Sequence, residues 1–199
     1  MDKVICVYSS SSCAIDRIYF DTAYKLGREI AKRGDTFLYG AGMIGLMGAV
    51  AKSVHQNNGK VIGIIPEALN VEGVVYENCD ELVVTPGMRE RKALMDERSD
   101  AFIALPGGYG TLEELLEIIT LKQLRYHNKP IIIININGFY NSLLEQFEKI
   151  VREQFAKEEC KNLYFVTEDV LEALDYIDSY KPCEFEQKWL TDVDPDKTL

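Results

Sequence analysis

The chain has 199 residues, of which 47% are hydrophobic and 27% are charged, a composition typical of one soluble globular domain. Its 32 Asp and Glu outnumber its 22 Lys and Arg, which gives a formal net charge of −10, so we expect neither nucleic acid nor a membrane surface as a partner. The longest apolar runs have the length of strands and fall far short of the roughly 20 residues that a membrane-spanning helix needs.

Short apolar runs rich in β-branched residues alternate along the chain with longer segments of helical periodicity. Strands are predicted over residues 4–8, 36–39, 61–65, 82–84, 101–105, 131–134 and 164–166. Helices are predicted over residues 16–33, 45–57, 89–97, 112–126, 141–155 and 169–178. Strands that are apolar on both faces are typical of a parallel sheet covered by helices on both sides. We therefore predict an α/β fold with a doubly wound parallel sheet, in a single domain that spans residues 1–181.

Residues 182–199 differ from the rest of the chain, since they are acidic and lack a regular apolar period. We expect a partly disordered tail, in which Phe185, Trp189 and Leu190 could dock as a short helix. The start of the chain lacks the basic head and the long apolar stretch of a secretory signal peptide. Five cysteines without a C-x-x-C pair are typical of reduced thiols, so we predict a cytoplasmic protein without a zinc site.

The first glycine-rich loop, GAGMIG, follows the second predicted strand and opens a helix. Loops at the carboxyl ends of parallel strands bind ligands, and glycine lets the backbone approach a phosphate. Gly40, Gly42 and Gly45 match the G-x-G-x-x-G pattern of dinucleotide sites, with Glu67 at a spacing suited to a ribose. That pattern normally follows the first strand of a fold, however, and the chain is too short for a separate substrate domain. We predict that these three glycines bind the substrate, and close packing of the helix on the strand is the alternative explanation for them.

The second glycine-rich loop, PGGYGT, begins at Pro106 after the fifth predicted strand and leads into another helix. Apolar residues at spacings i, i+3, i+4 and i+7 predict the buried side of that helix, namely Leu112, Leu115, Leu116 and Ile119. Glu114 then lies nearly opposite the buried side. The backbone N–H groups and the dipole of the helix N-terminus favour a phosphate in the concavity of this loop.

Charged residues flank the second loop on both sides. Glu113 and Glu114 in the first turn of the helix could simply complement the helix dipole, for about 0.3 to 1 kcal/mol. A carboxylate pair beside a phosphate is otherwise unfavourable unless a cation is near, and Arg89, Arg91 and Lys92 precede the strand that leads to the loop. An arginine can hold a phosphate or carboxylate through two parallel hydrogen bonds, or it can be merely solvated on a helix surface.

Three segments, GAGMIGLMG, MRERK and PGGYGTLEE, together resemble the LONELY GUY family of cytokinin riboside 5′-monophosphate phosphoribohydrolases, some of which were once described as lysine decarboxylases. The resemblance spans about residues 4–166. It implies a Rossmann-like homodimer that hydrolyses the N-glycosidic bond of a nucleoside 5′-monophosphate, with no metal or redox cofactor. By the same resemblance, Arg91 and Glu114 are the catalytic pair, while Lys92 and Glu72 contact the substrate. The phosphate and ribose cradle then consists of Gly107, Gly108, Tyr109, Gly110, Thr111, Leu112 and Glu113.

The chain departs from the family pattern in segments that belong to the predicted site or lie next to it. Ala41 stands where the family usually has a glycine, and residues 9–12 are serines where the family usually has Gly-Ser-Ser. Residues 87–89 are Gly, Met and Arg, where the family usually has Met-His before the arginine-containing segment. The preferred base, prenylated adenine or plain adenine, therefore stays open. Glycosidic cleavage passes through an oxocarbenium-like sugar, and we expect Glu114 to stay ionised near neutral pH, to face that cation and to orient the attacking water. The residues alone suggest no general acid for the leaving base.

Two other functions fit parts of the pattern. A non-catalytic carrier of a nucleotide or cofactor could share the fold, although the combination of Arg91 with Glu114 weighs against it. A lysine decarboxylase needs pyridoxal phosphate on a lysine with an acidic partner, and the chain shows no such arrangement. A homodimer is expected from the resemblance and from apolar residues of the site helices that would otherwise lie near the surface, namely Leu94, Met95, Leu121 and Leu124.

Overall fold

Seven parallel strands form one sheet in the computed structural model, which describes residues 2–182. The strands are β1 (Val4–Tyr8), β2 (Thr36–Tyr39), β3 (Lys60–Pro66), β4 (Glu81–Thr85), β5 (Ala101–Ala104), β6 (Ile131–Ile134) and β7 (Phe165–Thr167). The α-helices in this part of the chain are α1 (Arg17–Lys32), α2 (Gly45–Gln56), α3 (Met88–Arg98), α4 (Tyr109–Gln123), α5 (Asn141–Arg152) and α6 (Val170–Ser179). Every predicted strand and helix is present. The predicted tail, with Phe185, Trp189 and Leu190, lies outside the described residues.

The order of the strands creates a crevice at one edge of the sheet. The order is β4-β3-β2-β1-β5-β6-β7, which confirms the predicted doubly wound sheet. From β1 the chain builds outward through β2, β3 and β4, and it then returns to pair β5 with the other side of β1, where Tyr8 lies opposite Ala104. The chain leaves β1 and β5 toward opposite faces of the sheet, so a crevice opens between their carboxyl ends, as is typical of ligand sites in open α/β sheets.

Apolar layers cover both faces of the sheet. Helices α1, α2 and α6 pack on one face against residues such as Ile5 and Ile132. Helices α3, α4 and α5 pack on the other face against residues such as Cys6 and Ile133. Neighbouring residues of one strand thus enter different layers, which explains why the strands show no polar alternation. Within residues 2–182, none of the helices is long and apolar enough to cross a membrane.

Helix α4 differs from its prediction in both position and burial. It begins at Tyr109, three residues earlier than predicted, so Gly110 lies in its first turn. Leu115 is buried as expected, but Leu116 is 41% exposed whereas Glu114 is only 9% exposed. Leu112 and Ile119 are partly buried against the apolar layer, so the predicted stripe is wrong at Leu116 and in placing Glu114 on the opposite side. The reason is that α4 faces α3 as well as the sheet and buries the side that carries Glu114.

The apolar residues that were expected near the surface of α3 and α4 differ in their exposure. Met95 is 1% exposed and belongs to the apolar layer beneath α3, so the expectation for this residue is wrong. Leu94 and Leu121 are half-buried against the same layer. Leu124, at the end of α4, is 40% exposed and is therefore the member of this set that is most available to a partner surface.

Candidate active site

A cavity of about 700 Å³ opens at the carboxyl ends of β1, β2, β3 and β5. Its polar walls comprise the serine run after β1 (residues 9–12), the N-terminus of α4 and the side chain of Arg91. Apolar side chains form much of the remaining lining, namely Val7, Met47, Ile65, Leu69, Val74 and Met95. The cavity therefore offers polar groups and apolar surface to one ligand, as binding sites for small molecules commonly do.

A buried ion pair joins the two helices that flank the cavity. Arg91 of α3 and Glu114 of α4 both line the cavity, and their Nη1 and Oε1 atoms lie 3.3 Å apart. Arg91 is 7% exposed, and its Nε donates a hydrogen bond of 3.1 Å to the carbonyl of Ile64 in β3. This backbone contact fixes the guanidinium at the end of the sheet. The structure thus brings together the two residues that the sequence resemblance assigns to catalysis.

Burial changes the expected charge state of Glu114. Loss of contact with water raises the pKa of this carboxyl to about 7, with Arg91 opposing the rise and the neighbouring charge of Glu113 adding to it. The expectation of a carboxylate that stays ionised near neutral pH is therefore met only in part. The reason is that desolvation penalises the charged form more than the helix N-terminus and Arg91 stabilise it. Near pH 7 the group is poised between both protonation states.

Glycines of the first loop make room for the ion pair. A Cβ atom on Gly40 would lie 1.8 Å from Nη2 of Arg91, so any larger residue at this position would displace the guanidinium. A Cβ atom on Gly42 would lie 3.1 Å from the Cε and Sδ atoms of Met47. Both glycines line the cavity. Their role here is close packing around Arg91 and Met47.

Gly45 allows helix α2 to pack closely against the loop after β1, and it is not among the residues that line the cavity. Its φ is +63°, and an added Cβ atom would lie 2.4 Å from the backbone carbon of Ser11. The backbone N–H groups of Leu46 and Met47 donate to the carbonyl of Ser10 at 2.9 and 3.2 Å. These donors at the start of α2 are engaged within the protein, which favours the packing explanation of the G-x-G-x-x-G match over a dinucleotide site.

The second glycine-rich loop presents an open helix N-terminus. No side chain within residues 2–182 caps the start of α4 at Gly108. Added Cβ atoms on Gly108 and Gly110 would meet nothing within 4 Å, whereas one on Gly107 would lie 2.1 Å from Oγ1 of Thr111. Gly107 is therefore required for packing, while Gly108, Tyr109 and Gly110 border open space in the cavity. This arrangement can receive a compact anion through backbone N–H groups and the helix dipole.

Four charged residues that the sequence predicts for the site are not among the residues that line the cavity, namely Glu72, Arg89, Lys92 and Glu113. The ammonium of Lys92 on α3 forms ion pairs with Glu113 and with Glu117, the latter at 3.0 Å. Arg89 is exposed to solvent. Glu72 is also exposed, in a segment between two residues that line the cavity mouth. Leu112 packs partly buried against the apolar layer of α3, α4 and α5. The structure thus directs the Lys92 ammonium to carboxylates of α4.

Several residues of the cavity were not predicted as site residues from the sequence. The serines at positions 9–12 could have been proposed, because they follow the strand at the centre of the sheet, where ligands commonly bind. The apolar side chains of Met47, Ile65, Leu69 and Val74 carried no signal of this kind. They come from different parts of the chain, and only the folded structure brings them to one wall.

The fold and the site define a Rossmann-like α/β protein with a buried arginine–glutamate pair beside an open helix N-terminus. A family model described as "Possible lysine decarboxylase" matches residues 47–177. The cytokinin riboside 5′-monophosphate phosphoribohydrolase LOG3 of Arabidopsis thaliana is 44% identical over 179 residues, which cover 90% of this chain and 83% of that protein. The cytokinin riboside 5′-monophosphate phosphoribohydrolase LOG of Oryza sativa subsp. japonica is 43% identical, over 89% and 74% of the two chains. The chain belongs to the LONELY GUY family.

Two solved structures of similar fold are named for binding or carrying a cofactor. The molybdenum cofactor binding protein of Rippkaea orientalis superposes with a TM-score of 0.69 at 24% identity, over 90% of this chain and 97% of that one. The molybdenum cofactor carrier protein of Chlamydomonas reinhardtii gives a TM-score of 0.69 at 20% identity, over 89% and 97% of the two chains. At this identity the likeness concerns the fold alone, because one fold hosts many functions.

Proposed function

We propose that this protein hydrolyses the N-glycosidic bond of a nucleoside 5′-monophosphate, either a cytokinin riboside 5′-monophosphate or AMP, to the free base and ribose 5-phosphate. The observation that carries the proposal is the buried pair of Arg91 and Glu114 in the wall of a cavity that also contains the open N-terminus of α4. The open N-terminus of α4 receives the phosphate, and the pair of Arg91 and Glu114 acts on the sugar. Membership of the LONELY GUY family supports the same reaction.

The 5′-phosphate binds at the start of α4. Gly108 and Gly110 leave the approach to the backbone free of side chains, and the first N–H groups of a helix attract an anion. The serine hydroxyls after β1 line the same cavity and add hydrogen-bond donors. On an acidic chain, such a local set of donors is what allows a negatively charged substrate to bind.

Glu114 carries out the chemistry at the sugar. As the base departs with the electron pair of the glycosidic bond, positive charge develops on the ribose, and the ionised carboxylate stabilises that charge. Water attacks the anomeric carbon and Glu114 accepts its proton, which then passes to the departing base, so that the free base forms and Glu114 returns to its ionised state. A pKa of about 7 suits this step, because a general base is most effective when its pKa lies near the working pH. Arg91 holds the carboxylate in place through their ion pair.

The base binds against the apolar wall of the cavity. Leu69 and Val74 at the mouth are 46% and 40% exposed, and Ile65 and Met47 continue the same wall inward. Covering such side chains favours a base with apolar surface. Both candidate substrates present a purine ring to this wall, and the prenylated one presents a further apolar group.

We also propose that the protein forms a homodimer in the cytoplasm. Leu116 on α4 and Leu124 at its C-terminal end are 41% and 40% exposed, which supports a partner surface along this helix. The thiols of the cysteines in the described residues are free, which fits a reducing compartment. Residues 1–181 then form the hydrolase domain, and residues 182–199 form an acidic tail.

Incubation with a panel of nucleoside monophosphates tests the proposed function. Chromatography measures the free base and ribose 5-phosphate that the protein releases from each nucleotide. We expect the two products in equal amounts from at least one purine nucleoside monophosphate, and none with the Glu114→Gln variant. Tight binding of the nucleotides without any release of base would contradict the proposal and would favour a carrier.

A further inference from the structure

The titratable groups around Glu114 come from three elements. Helix α3 contributes Arg91 and Lys92, and helix α4 contributes Glu113 and Glu117. Strand β1 contributes Cys6 and Tyr8, which both interact with Glu114. Burial raises the pKa of Cys6 to about 12 and that of Tyr8 well above its usual value, so both groups stay neutral at working pH. The charge balance at Glu114 is therefore set by the residues of α3 and α4.

Lys92 occupies the central position in this charge balance. Its side chain is only 15% exposed, whereas its partners Glu113 and Glu117 are 55% and 40% exposed. The two partners lie one turn apart on α4, on either side of Glu114 in the sequence, and the Lys92 ammonium is ion-paired with both. Burial of Lys92 opposes its protonation, but the two ion pairs raise its pKa overall. The ammonium is therefore a permanent charge at this point.

We propose that Lys92 is a positioning residue for the catalytic carboxylate: by neutralising Glu113 and Glu117 and tying α4 to α3, it allows Glu114 to ionise next to Arg91. This role deepens the proposed function and rests on Glu114 as the reacting group. It differs from direct contact with the substrate, because an ammonium that reached a phosphate would have to leave both carboxylates.

Removal of the Lys92 charge has a defined electrostatic consequence. In the wild-type protein, two cations on α3 face three carboxylates on α4, namely Arg91 and Lys92 against Glu113, Glu114 and Glu117. The Lys92→Met variant leaves Arg91 alone with all three, and like charges nearby disfavour ionisation of Glu114. We expect the ascending limb of the pH profile of kcat/KM to move about one pH unit higher. Activity then falls several-fold at pH 7 and returns to nearly the wild-type value at pH 9.

Matched variants separate this role from a structural one. Lys92→Arg keeps the charge and is expected to keep the wild-type profile. Addition of Glu113→Gln and Glu117→Gln to Lys92→Met removes the uncompensated carboxylates and is expected to return the midpoint to the wild-type value or below. The substrate phosphate loses its second proton near pH 6, but it titrates identically with every variant. An equal loss of kcat/KM at all pH values in Lys92→Met, or a rise of KM without a shift of the profile, would overturn the proposal.

A second readout does not depend on turnover. The free energy of unfolding is measured against pH for the wild type and for Glu114→Gln, and the difference between the two curves reports the titration of Glu114. The same comparison is made between Lys92→Met and the double variant Lys92→Met/Glu114→Gln. We expect the midpoint of the second difference curve to lie about one pH unit higher than that of the first. An unchanged midpoint would overturn the role of Lys92 even if the wild type proved to hydrolyse no nucleotide, so the two failures are distinguishable.

Discussion

Glu114 lies in the first turns of α4, where a helix dipole favours a negative charge, and it is nevertheless held near its midpoint of titration at neutral pH. The dipole contributes about 0.3 to 1 kcal/mol to a carboxylate at such a position. A pKa of about 7, compared with an ordinary value of 4.5, corresponds to roughly 3 kcal/mol in the opposite direction. Desolvation therefore outweighs the dipole, and the sequence could not reveal this because it does not show how closely α3 covers the residue.

The Glu114→Gln variant is expected to lose base release while it keeps its fold, since the substitution removes the charge at nearly constant shape. The raised pKa of Glu114 means that the native state binds this proton more tightly than the unfolded state does, so wild-type stability falls as pH rises from about 4.5 to about 7. Between pH 5 and pH 8 the titration of Glu114 should lower the free energy of unfolding of the wild type by on the order of 2 kcal/mol, and the variant should not show this loss. Urea unfolding at the two pH values measures this. If the difference in free energy of unfolding between the wild type and the variant did not change with pH, the raised pKa assigned to Glu114 would be contradicted.

Arg91→Ala is expected to lower kcat/KM at pH 7 by at least about a hundredfold, because removal of one partner of a buried pair leaves the other charge uncompensated. Arg89→Ala is the matched control, since Arg89 lies on the same helix and is exposed. Steady-state kinetics compare the two variants, and circular dichroism verifies that both are folded. If Arg89→Ala were the inactive variant and Arg91→Ala retained activity, the catalytic arginine would be misassigned.

At the scale of elements, the strands were easier to predict than the sides of the helices. Runs such as the four isoleucines of β6 are apolar throughout, so their assignment to a doubly covered sheet followed from composition and length. Helix α4 was harder, because it packs on two neighbours and buries Thr111, Glu114 and Lys122 along with its apolar residues. A simple apolar stripe indicates the buried side only where a helix contacts a single layer.

The start of α4 allows a test in which stability and substrate binding change in opposite directions. Gly110→Ala adds a methyl group to a helical position with open space around it, and alanine stabilises a helix by up to about 1 kcal/mol relative to glycine. The same methyl group projects into the proposed phosphate cradle. We expect a higher melting temperature together with a raised KM for the monophosphate.

Thr120→Ala is the control for this test, because Thr120 is exposed on the same helix and does not line the cavity. It is expected to leave KM unchanged. An unchanged KM in Gly110→Ala would show that the phosphate does not bind at the start of α4.

At the scale of the whole molecule, the cavity unites residues that are distant in the sequence. The polar walls could be predicted because glycine-rich and serine-rich loops follow β1 and β5, the strands on either side of the switch in strand order. The apolar wall could not, since Met47, Ile65, Leu69 and Val74 are ordinary hydrophobic residues in the sequence. Arg91 and Glu114 were brought together by the resemblance of short motifs, and their distance of 3.3 Å follows only from the packing of α3 on α4.

The proposed homodimer is tested by light scattering at micromolar concentration. With a chain mass of 22.6 kDa, a dimer has a mass of about twice that value. Leu124→Glu places a charge on the exposed apolar end of α4 and is expected to weaken the dimer. Ile18→Glu is the control, since Ile18 is 43% exposed on α1, which covers the other face of the sheet. A wild-type protein that stays monomeric would contradict the proposed assembly.

The comparison of nucleoside 5′-monophosphates with the matching nucleosides tests the central claim most directly. In the proposed mechanism, backbone donors at the start of α4 bind the phosphate, and the binding energy gained there is expressed at the anomeric carbon during cleavage. Loss of several charged hydrogen bonds should therefore lower kcat/KM by at least about a hundredfold. We expect AMP or its prenylated counterpart to be cleaved to base and ribose 5-phosphate, while adenosine and the prenylated nucleoside are nearly inert. Comparable kcat/KM values for nucleotide and nucleoside would contradict the assignment of the loop, the site and the reaction.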